Sequence, residues 1–151
     1  MTIRPARVDD VPQLHALIKV HAERGKMVLR TPDELYATIR EFLVADESGQ
    51  VIGCVAAHVF SAELAELKCL AVRDDCQGRG IGTALCAACF DDVKRLGVRR
   101  LFTLTGSPAF FEKIGYRRVD KTTLPHFVWG ECVRCPTFPV CNEEALVRDV
   151  G

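Results

Sequence analysis

The sequence predicts one α+β domain built on a mixed, mostly antiparallel sheet. Three observations carry this. Strand-like and helix-like periods follow one another in the order β-α-α-β-β-β-α-β-α-β along 151 residues. Three consecutive strand patterns make a meander, and the strand–helix–strand run after them makes a single crossover. No repeat, low-complexity tract or linker interrupts the chain, so residues 1–151 read as a single domain with a Cys-rich C-terminal tail at about 126–145.

Each element has its own grounds. Thr2 to Val8 alternates apolar and charged residues and predicts a first strand, at a sheet edge because Pro5 cannot donate to a ladder. Asp9 or Asp10 can cap a helix with the apolar stripe Val11, Leu14, Leu17, Ile18, which Gly25 stops. Thr31-Pro32-Asp33-Glu34 is a helix start, with proline at the first turn and Glu34 closing a capping box. Phe42 to Asp46 and Val51 to Phe60 read as strands joined by the hairpin signal Glu47-Ser48-Gly49-Gln50. Leu64 to Val72 is the next strand. A helix from about Ile81 to Leu96 buries Leu85, Cys89 and Val93 and ends at Gly97. The run VRRLFTLT follows as a strand, Ser107-Pro108 opens a short helix that Gly115 ends, and Tyr116 to Val119 begins the last strands.

Composition excludes several classes. Apolar residues at 48% and charged residues at 26% fit a folded chain and exclude a disordered one. Twenty basic residues balance twenty acidic ones, so no net field favours nucleic acid or an acidic membrane. The opening MTIRPARVDDVPQL lacks the apolar core of a signal peptide, and no apolar run is long enough to span a bilayer. These features predict a cytoplasmic protein whose eight cysteines are mostly reduced, with Cys54, Cys69, Cys86 and Cys89 as small core residues.

Residues 76 to 82, CQGRGIG, sit between the strand ELKCLAV and the helix TALCAACFDDVKRLG. Glycines let a ligand approach the backbone, and a helix entrance exposes unpaired N–H groups with a partial positive charge. Arg79 adds a cation. The pattern G-x-G-x-G departs from the dinucleotide fingerprint, and the Gly-Lys-Ser/Thr of a Walker loop is absent. A diphosphate cradle is the favoured reading, with a plain tight turn as the alternative.

Q77-x-x-G80-x-G82 after the strand ending LAV72, with FFEKIGY downstream, resembles the GNAT acyltransferase superfamily. The resemblance covers nearly the whole chain. It implies a three-layer α/β/α fold and acetyl-coenzyme A as co-substrate. It also implies that the main chain of Gln77, Gly78, Arg79, Gly80, Ile81, Gly82 and Thr83 holds the pyrophosphate. Leu70, Ala71 and Val72 would pair with the pantetheine arm as an added strand, one amide polarising the thioester carbonyl. Many members place a tyrosine acid four residues before the Gly of F/Y-E-K-x-G; here that position, beside the cofactor, is Phe111, which cannot donate.

The loop MVLR, the strand AELKCLAV and the segment LTGSPAFFEKIGY are similar, more narrowly, to the acetyltransferase domain of bacterial N-acetylglutamate synthases. That likeness implies a strand cysteine, Cys69, and makes Ser107 the proton donor to the departing thiolate. Ser107 is equally a plain helix N-cap, and Cys69 a buried strand thiol. Glu66 is the candidate for deprotonating the amine, directly or through water. Strand alternation puts Glu66 and Cys69 on opposite faces unless a bulge intervenes. The alternative for Glu66 is a surface pair with Lys68. The implied acceptor, L-glutamate, carries two carboxylates; Arg30 matches the arginine of the family's loop, and Lys26 and Lys68 are the next cations. Solvated charge is the alternative at Arg30. A homodimer is implied by the same resemblance.

The tail spacing H126-x5-C132-x2-C135-x5-C141 can be a Cys3His zinc site, a disulfide or redox pair, or packing thiols. His126, Cys132, Cys135 and Cys141 are the only metal candidates, and no metal is expected. Trp129 reads as a core or dimer contact. The expected activity is acetyl transfer from acetyl-CoA to the α-amine of L-glutamate, the first step toward arginine. Alternatives are another small amine or amino acid as acceptor, a non-catalytic acetyl-CoA sensor, and a zinc-dependent interaction module.

Overall fold

Ser48 and Gly49, both left-handed at φ 54° and 84°, turn the chain between strands β2 (Phe42–Glu47) and β3 (Gln50–Ser61), as the hairpin signal requires. A computed structural model describes residues 1–125 and 143–151. His126, Trp129, Cys132, Cys135 and Cys141 lie outside the described residues.

The remaining strands are β1 (Thr2–Pro5), β4 (Leu64–Val72), β5 (Arg100–Thr105), β6 (Arg117–Val119) and β7 (Glu144–Asp149). The helices are α1 (Val11–Glu23), α2 (Pro32–Ala37), α3 (Ile81–Leu96) and α4 (Pro108–Lys113). One seven-stranded sheet runs β1-β2-β3-β4-β5-β7-β6. Every neighbouring pair is antiparallel except β4–β5, which the α3 crossover makes parallel. β1 is an edge strand, as its proline predicts.

Helices cover both faces, giving the three-layer α/β/α arrangement. The α1 stripe of Val11, Leu14, Leu17 and Ile18 packs with Leu35, Val44, Cys54 and Ala71 on one face. Ile81, Leu85, Cys89 and Val93 of α3 pack with Ile52, Val55, Leu67 and Leu146 on the other. Each such aliphatic side chain contributes about 1.5–3 kcal/mol on burial. Cys54, Cys69, Cys76, Cys86 and Cys89 are all buried free thiols.

The capping box at Thr31 forms as read: its hydroxyl accepts from Glu34 N at 3.2 Å, and the Glu34 carboxylate accepts from Thr31 N at 3.3 Å. Asp10 differs. It occupies the N-cap of α1 without capping it, because Arg4 takes its carboxylate at 2.8 and 2.9 Å and Arg7 N donates to it at 2.7 Å. Those charge-assisted bonds outcompete a neutral cap. They also end β1 at Pro5 rather than Val8 and turn the chain into a 3₁₀ turn over Val8–Asp10.

Two irregularities in β4 prepare the site. Ala56 faces Lys68 and Cys54 faces Ala71, so Val55 alone opposes Cys69 and Leu70. This is a β-bulge, and Cys69 adopts φ +56° to make it. Secondly, β4 and β5 pair only at Ala65–Leu101 and Glu66–Phe102. Thr103 Oγ1 donates to the Leu67 carbonyl at 3.0 Å, and beyond that the two strands part.

Candidate active site

The bulge reverses the alternation of β4. Ala65 and Leu67 before it, and Leu70 and Val72 after it, lie in the α3 layer, whereas Cys69 and Ala71 lie in the α1–α2 layer. Glu66 and Lys68, alternating with Ala65 and Leu67, therefore share the α1–α2 face with Cys69. The bulge that the sequence required for Glu66 and Cys69 to meet is present.

Where β4 and β5 diverge, a cleft of about 850 Å³ opens. Its floor is β4 from Glu66 to Val72, whose backbone on that side has no ladder partner in β5 past Glu66. One wall carries Lys26, Met27, Val28 and Arg30; the other carries Thr103 to Ser107 with Phe110 and Phe111. The entrance to α3 closes one end through Gln77, Gly78 and Gly80 to Thr83. A single cavity thus collects every predicted site residue among the described residues except Arg79.

The α3 entrance is built by two left-handed glycines, Gly78 at φ 78° and Gly80 at φ 77°. The first intrahelical bond is Ala84 N to Gly80 O at 3.0 Å, which leaves the amides of Ile81, Gly82 and Thr83 without helical acceptors. A 16-residue helix adds its dipole behind them. Gln77 Nε2 donates to the Val72 carbonyl at 3.0 Å and ties the loop to the end of the floor strand. Arg79 is turned out of the cleft. Its guanidinium pairs with Glu47 at 2.5 and 3.3 Å and holds that carboxylate below its usual range.

Glu66 is 9% exposed, a buried carboxylate rather than a surface one. Ser107 stands at the N-cap position of α4 but makes no capping bond with its hydroxyl; its N–H donates to Thr105 Oγ1 at 2.9 Å. The N-cap alternative fails in this respect, and Ser107 is exposed and lines the cleft. Phe111 is buried edge-to-face against Phe110 and Tyr116, at centroid distances of 5.0 and 5.3 Å. Tyr116 does not substitute for a tyrosine acid. Its hydroxyl is buried in the α3 layer without a hydrogen-bond partner among the described residues, and burial pushes its pKa up. Tyr36, the other tyrosine, is exposed on α2. Neither lines the cleft.

Bare amides, an unpaired strand edge, a buried carboxylate and several cations around one cleft suit a long anionic donor meeting a small charged acceptor. Residues 38–118 match the family model of the acetyltransferase (GNAT) domain. The chain belongs to the GNAT acetyltransferase family. Among curated relatives, an uncharacterized N-acetyltransferase of Chlorobaculum tepidum is 34% identical over 146 residues, covering 97% of this chain and 94% of its own. The amino-acid acetyltransferase of Mycobacterium tuberculosis is 33% identical over 136 residues, covering 87% of this chain and 77% of its own. Among solved structures, the N-acetylglutamate synthase of Neisseria gonorrhoeae, complexed with coenzyme A and N-acetyl-glutamate, superposes with a TM-score of 0.90 at 30% identity. That match covers 99% of this chain and 35% of the synthase, so this GNAT chain spans about a third of the larger protein.

Polar residues of this acetyltransferase cleft that escaped the sequence include His21, Thr103, Thr105 and Glu143. His21 carried a signal, a polar residue continuing the inward stripe of α1. Glu143 and Thr103 carried none. Among the described residues, no cluster of three or more His, Cys, Asp or Glu side chains could hold a metal, and no helix is long and apolar enough to cross a membrane.

Proposed function

We propose that this acetyltransferase transfers the acetyl group of acetyl-CoA to the α-amine of L-glutamate in the cytoplasm, as an entry step to arginine synthesis. The observation that carries it is the union, in one cleft, of the α3 amides, the unpaired edge of β4 and the cations Lys26, Arg30 and Lys68. The amides suit the donor's pyrophosphate. The edge of Leu70 to Val72, unpaired by β5 and with only its Val72 carbonyl taken by Gln77, suits the amides of the pantetheine arm, in the manner of an added strand. The cations suit the two carboxylates of the acceptor. Relatives that carry the name amino-acid acetyltransferase add to this reading.

Chemically, the α-ammonium loses a proton to Glu66, directly or through water, and the freed nitrogen attacks the thioester carbon. A main-chain amide at the bulge stabilises the carbonyl oxygen as it gains charge. The C–S bond then breaks, and the thiolate takes a proton from the Ser107 hydroxyl at the positive end of α4, with Cys69 lining the same face. The nitrogen sheds its second proton to solvent as the amide forms, and Ser107 is refilled from solvent. No acetyl-enzyme is formed. The test is thiol release from acetyl-CoA screened over the twenty amino acids. Glutamate should give the highest kcat/KM, and a higher value for any other amino acid replaces it as acceptor. A second reading, a non-catalytic acetyl-CoA sensor, has one observation in its favour: neither tyrosine reaches the cleft. Tight acetyl-CoA binding without thiol release from any amine would establish it.

A further inference from the structure

The amine that enters this cleft arrives as an ammonium ion and must lose two protons to become an amide. One can return to the thiolate as the C–S bond breaks; the other leaves with solvent. Glu66 and Ser107 between them account for one acceptor and one donor. A second acceptor on the acceptor side of β4 would take a proton that otherwise passes directly to solvent.

His21 has the required properties. It continues the inward stripe of α1 after Leu14, Leu17 and Ile18, is 7% exposed, and lines the cleft. Its Nδ1 lies 3.1 Å from the Leu17 carbonyl oxygen. A carbonyl only accepts, so Nδ1 carries the proton, and Nε2 of the neutral ring presents a lone pair. No described residue bonds to Nε2. The stripe packs over Cys69 and Ala71, the face that also holds Glu66. The His21 carbonyl accepts from Arg24 N at 3.2 Å and Lys26 N at 3.0 Å, so the turn that delivers Lys26 to the cleft is anchored on this residue.

We infer that His21 is a second proton acceptor for the attacking amine, its Nε2 taking the proton that turns the ammonium ion into the nucleophile. This rests on the acetyl-transfer reading above. The step is balanced: the N–H bond breaks, the pair remains on the amine nitrogen, and Nε2 becomes N–H in an imidazolium that returns its proton to solvent after product leaves. This moves Glu66 from the first proton, its place in the reading above, to the second, released from nitrogen after attack. Asp74, in the turn after β4, is an electrostatic neighbour of His21, and the charged and titratable groups that line the cleft with it are Lys26, Arg30, Glu66, Lys68, Cys69, Cys76 and Glu143, with Arg24 in its own turn. Arg24 is already held bidentate by Asp74 at 2.9 and 2.5 Å, so the pair adds little net charge.

The experiment compares pH–rate profiles of the wild type, His21→Gln and His21→Ala, using whichever amino acid gives thiol release with the wild type. Gln keeps a polar group and cannot titrate. Its kcat should fall about 10²-fold at neutral pH, any rising limb that depends on residue 21 should vanish, and the rate should recover where the free amine predominates. Added imidazole should restore part of the His21→Ala rate, which a merely structural histidine would not allow. Coenzyme A affinity and Tm monitor folding. A wild-type-like profile in folded His21→Gln, or no imidazole rescue of folded His21→Ala, overturns the inference while leaving acetyl transfer intact. Thiol release by the wild type with no amine at all overturns both.

Discussion

Valine at Gly80 separates the two things this glycine does. Its φ of 77° costs an L-residue about 1–2 kcal/mol, somewhat more for a β-branched one. No atom lies within 4 Å of where its Cβ would stand, so no clash with the protein adds to that. Stability should therefore drop by about 1–2 kcal/mol, or about 2–8 °C in Tm for a domain of this size. Ligand binding should suffer more. Relieving the strain rotates the entrance of α3 and turns away amides that would hold a diphosphate. Each hydrogen bond to a charged group is worth about 1.5–3 kcal/mol, so losing one weakens coenzyme A about 10- to 100-fold. Gly97→Val supplies the control: it sits at the other end of α3, with φ 85° and open space around its Cβ. Calorimetric titration of coenzyme A into both variants, with melting curves beside them, decides the matter. Equal Tm losses with coenzyme A affinity lost only in Gly80→Val is the expected result. Unchanged affinity in Gly80→Val, or equal weakening in Gly97→Val, would refute the assignment of these amides to the donor.

Ser107→Ala should lower turnover about 10²-fold with coenzyme A affinity unchanged, and an unaltered rate retires Ser107 as the acid. Arg30→Ala should raise KM for the amino acid at least about tenfold with little change in kcat, since it removes a carboxylate contact made equally in ground and transition states. Asp10 is held below the usual carboxylate range, first by the Arg4 hydrogen bond and then by the Arg7 amide. The unfolded chain thus binds its proton more readily, and the stability it gives at neutral pH is lost as pH falls below about 4. Asp10→Asn should cost about 1–3 kcal/mol at pH 7, a deficit that shrinks at pH 3 in urea titrations; a constant deficit refutes the ion pair's role. Burial pushes the Cys86 and Cys89 thiols up to about 12, so mass spectrometry should find both unlabelled by a thiol reagent at pH 8 until the protein unfolds.

What the sequence made legible was what local chemistry decides. Leu64–Val72 and Ile81–Leu96 form over the residues their patterns mark, because one is bounded by turn residues and the other by Gly80 and Gly97. The Thr31 box forms because its partners lie three residues apart. Long-range competition was not legible. Arg79 announces a cation in a phosphate loop, but Glu47, 32 residues earlier, claims it. Asp10 looks like a cap until Arg4 arrives from β1. His21 was legible in principle, since a polar residue in the inward stripe of a helix needs a reason to be there.

The bulge was anticipated only as a condition, and its consequence reaches furthest. ELKCLAV contains no glycine or asparagine to mark a left-handed residue, and Cys69 takes that conformation because β3 and β4 must stay paired on both sides of it. An unbulged strand would put Ala65, Leu67, Cys69 and Ala71 on one face and leave Glu66 and Lys68 facing the other side from Cys69. The extra residue instead brings the carboxylate, the lysine and the thiol together beneath α1, and it does so where β5 has just let go of β4. A donor lying along the freed edge and an acceptor entering under α1 would therefore meet at the bulge, where main-chain amides are displaced from the ladder. Placing either irregularity a few residues along the strand would separate the two ligands, so position, more than the identity of any single side chain, is what the fold contributes to the chemistry.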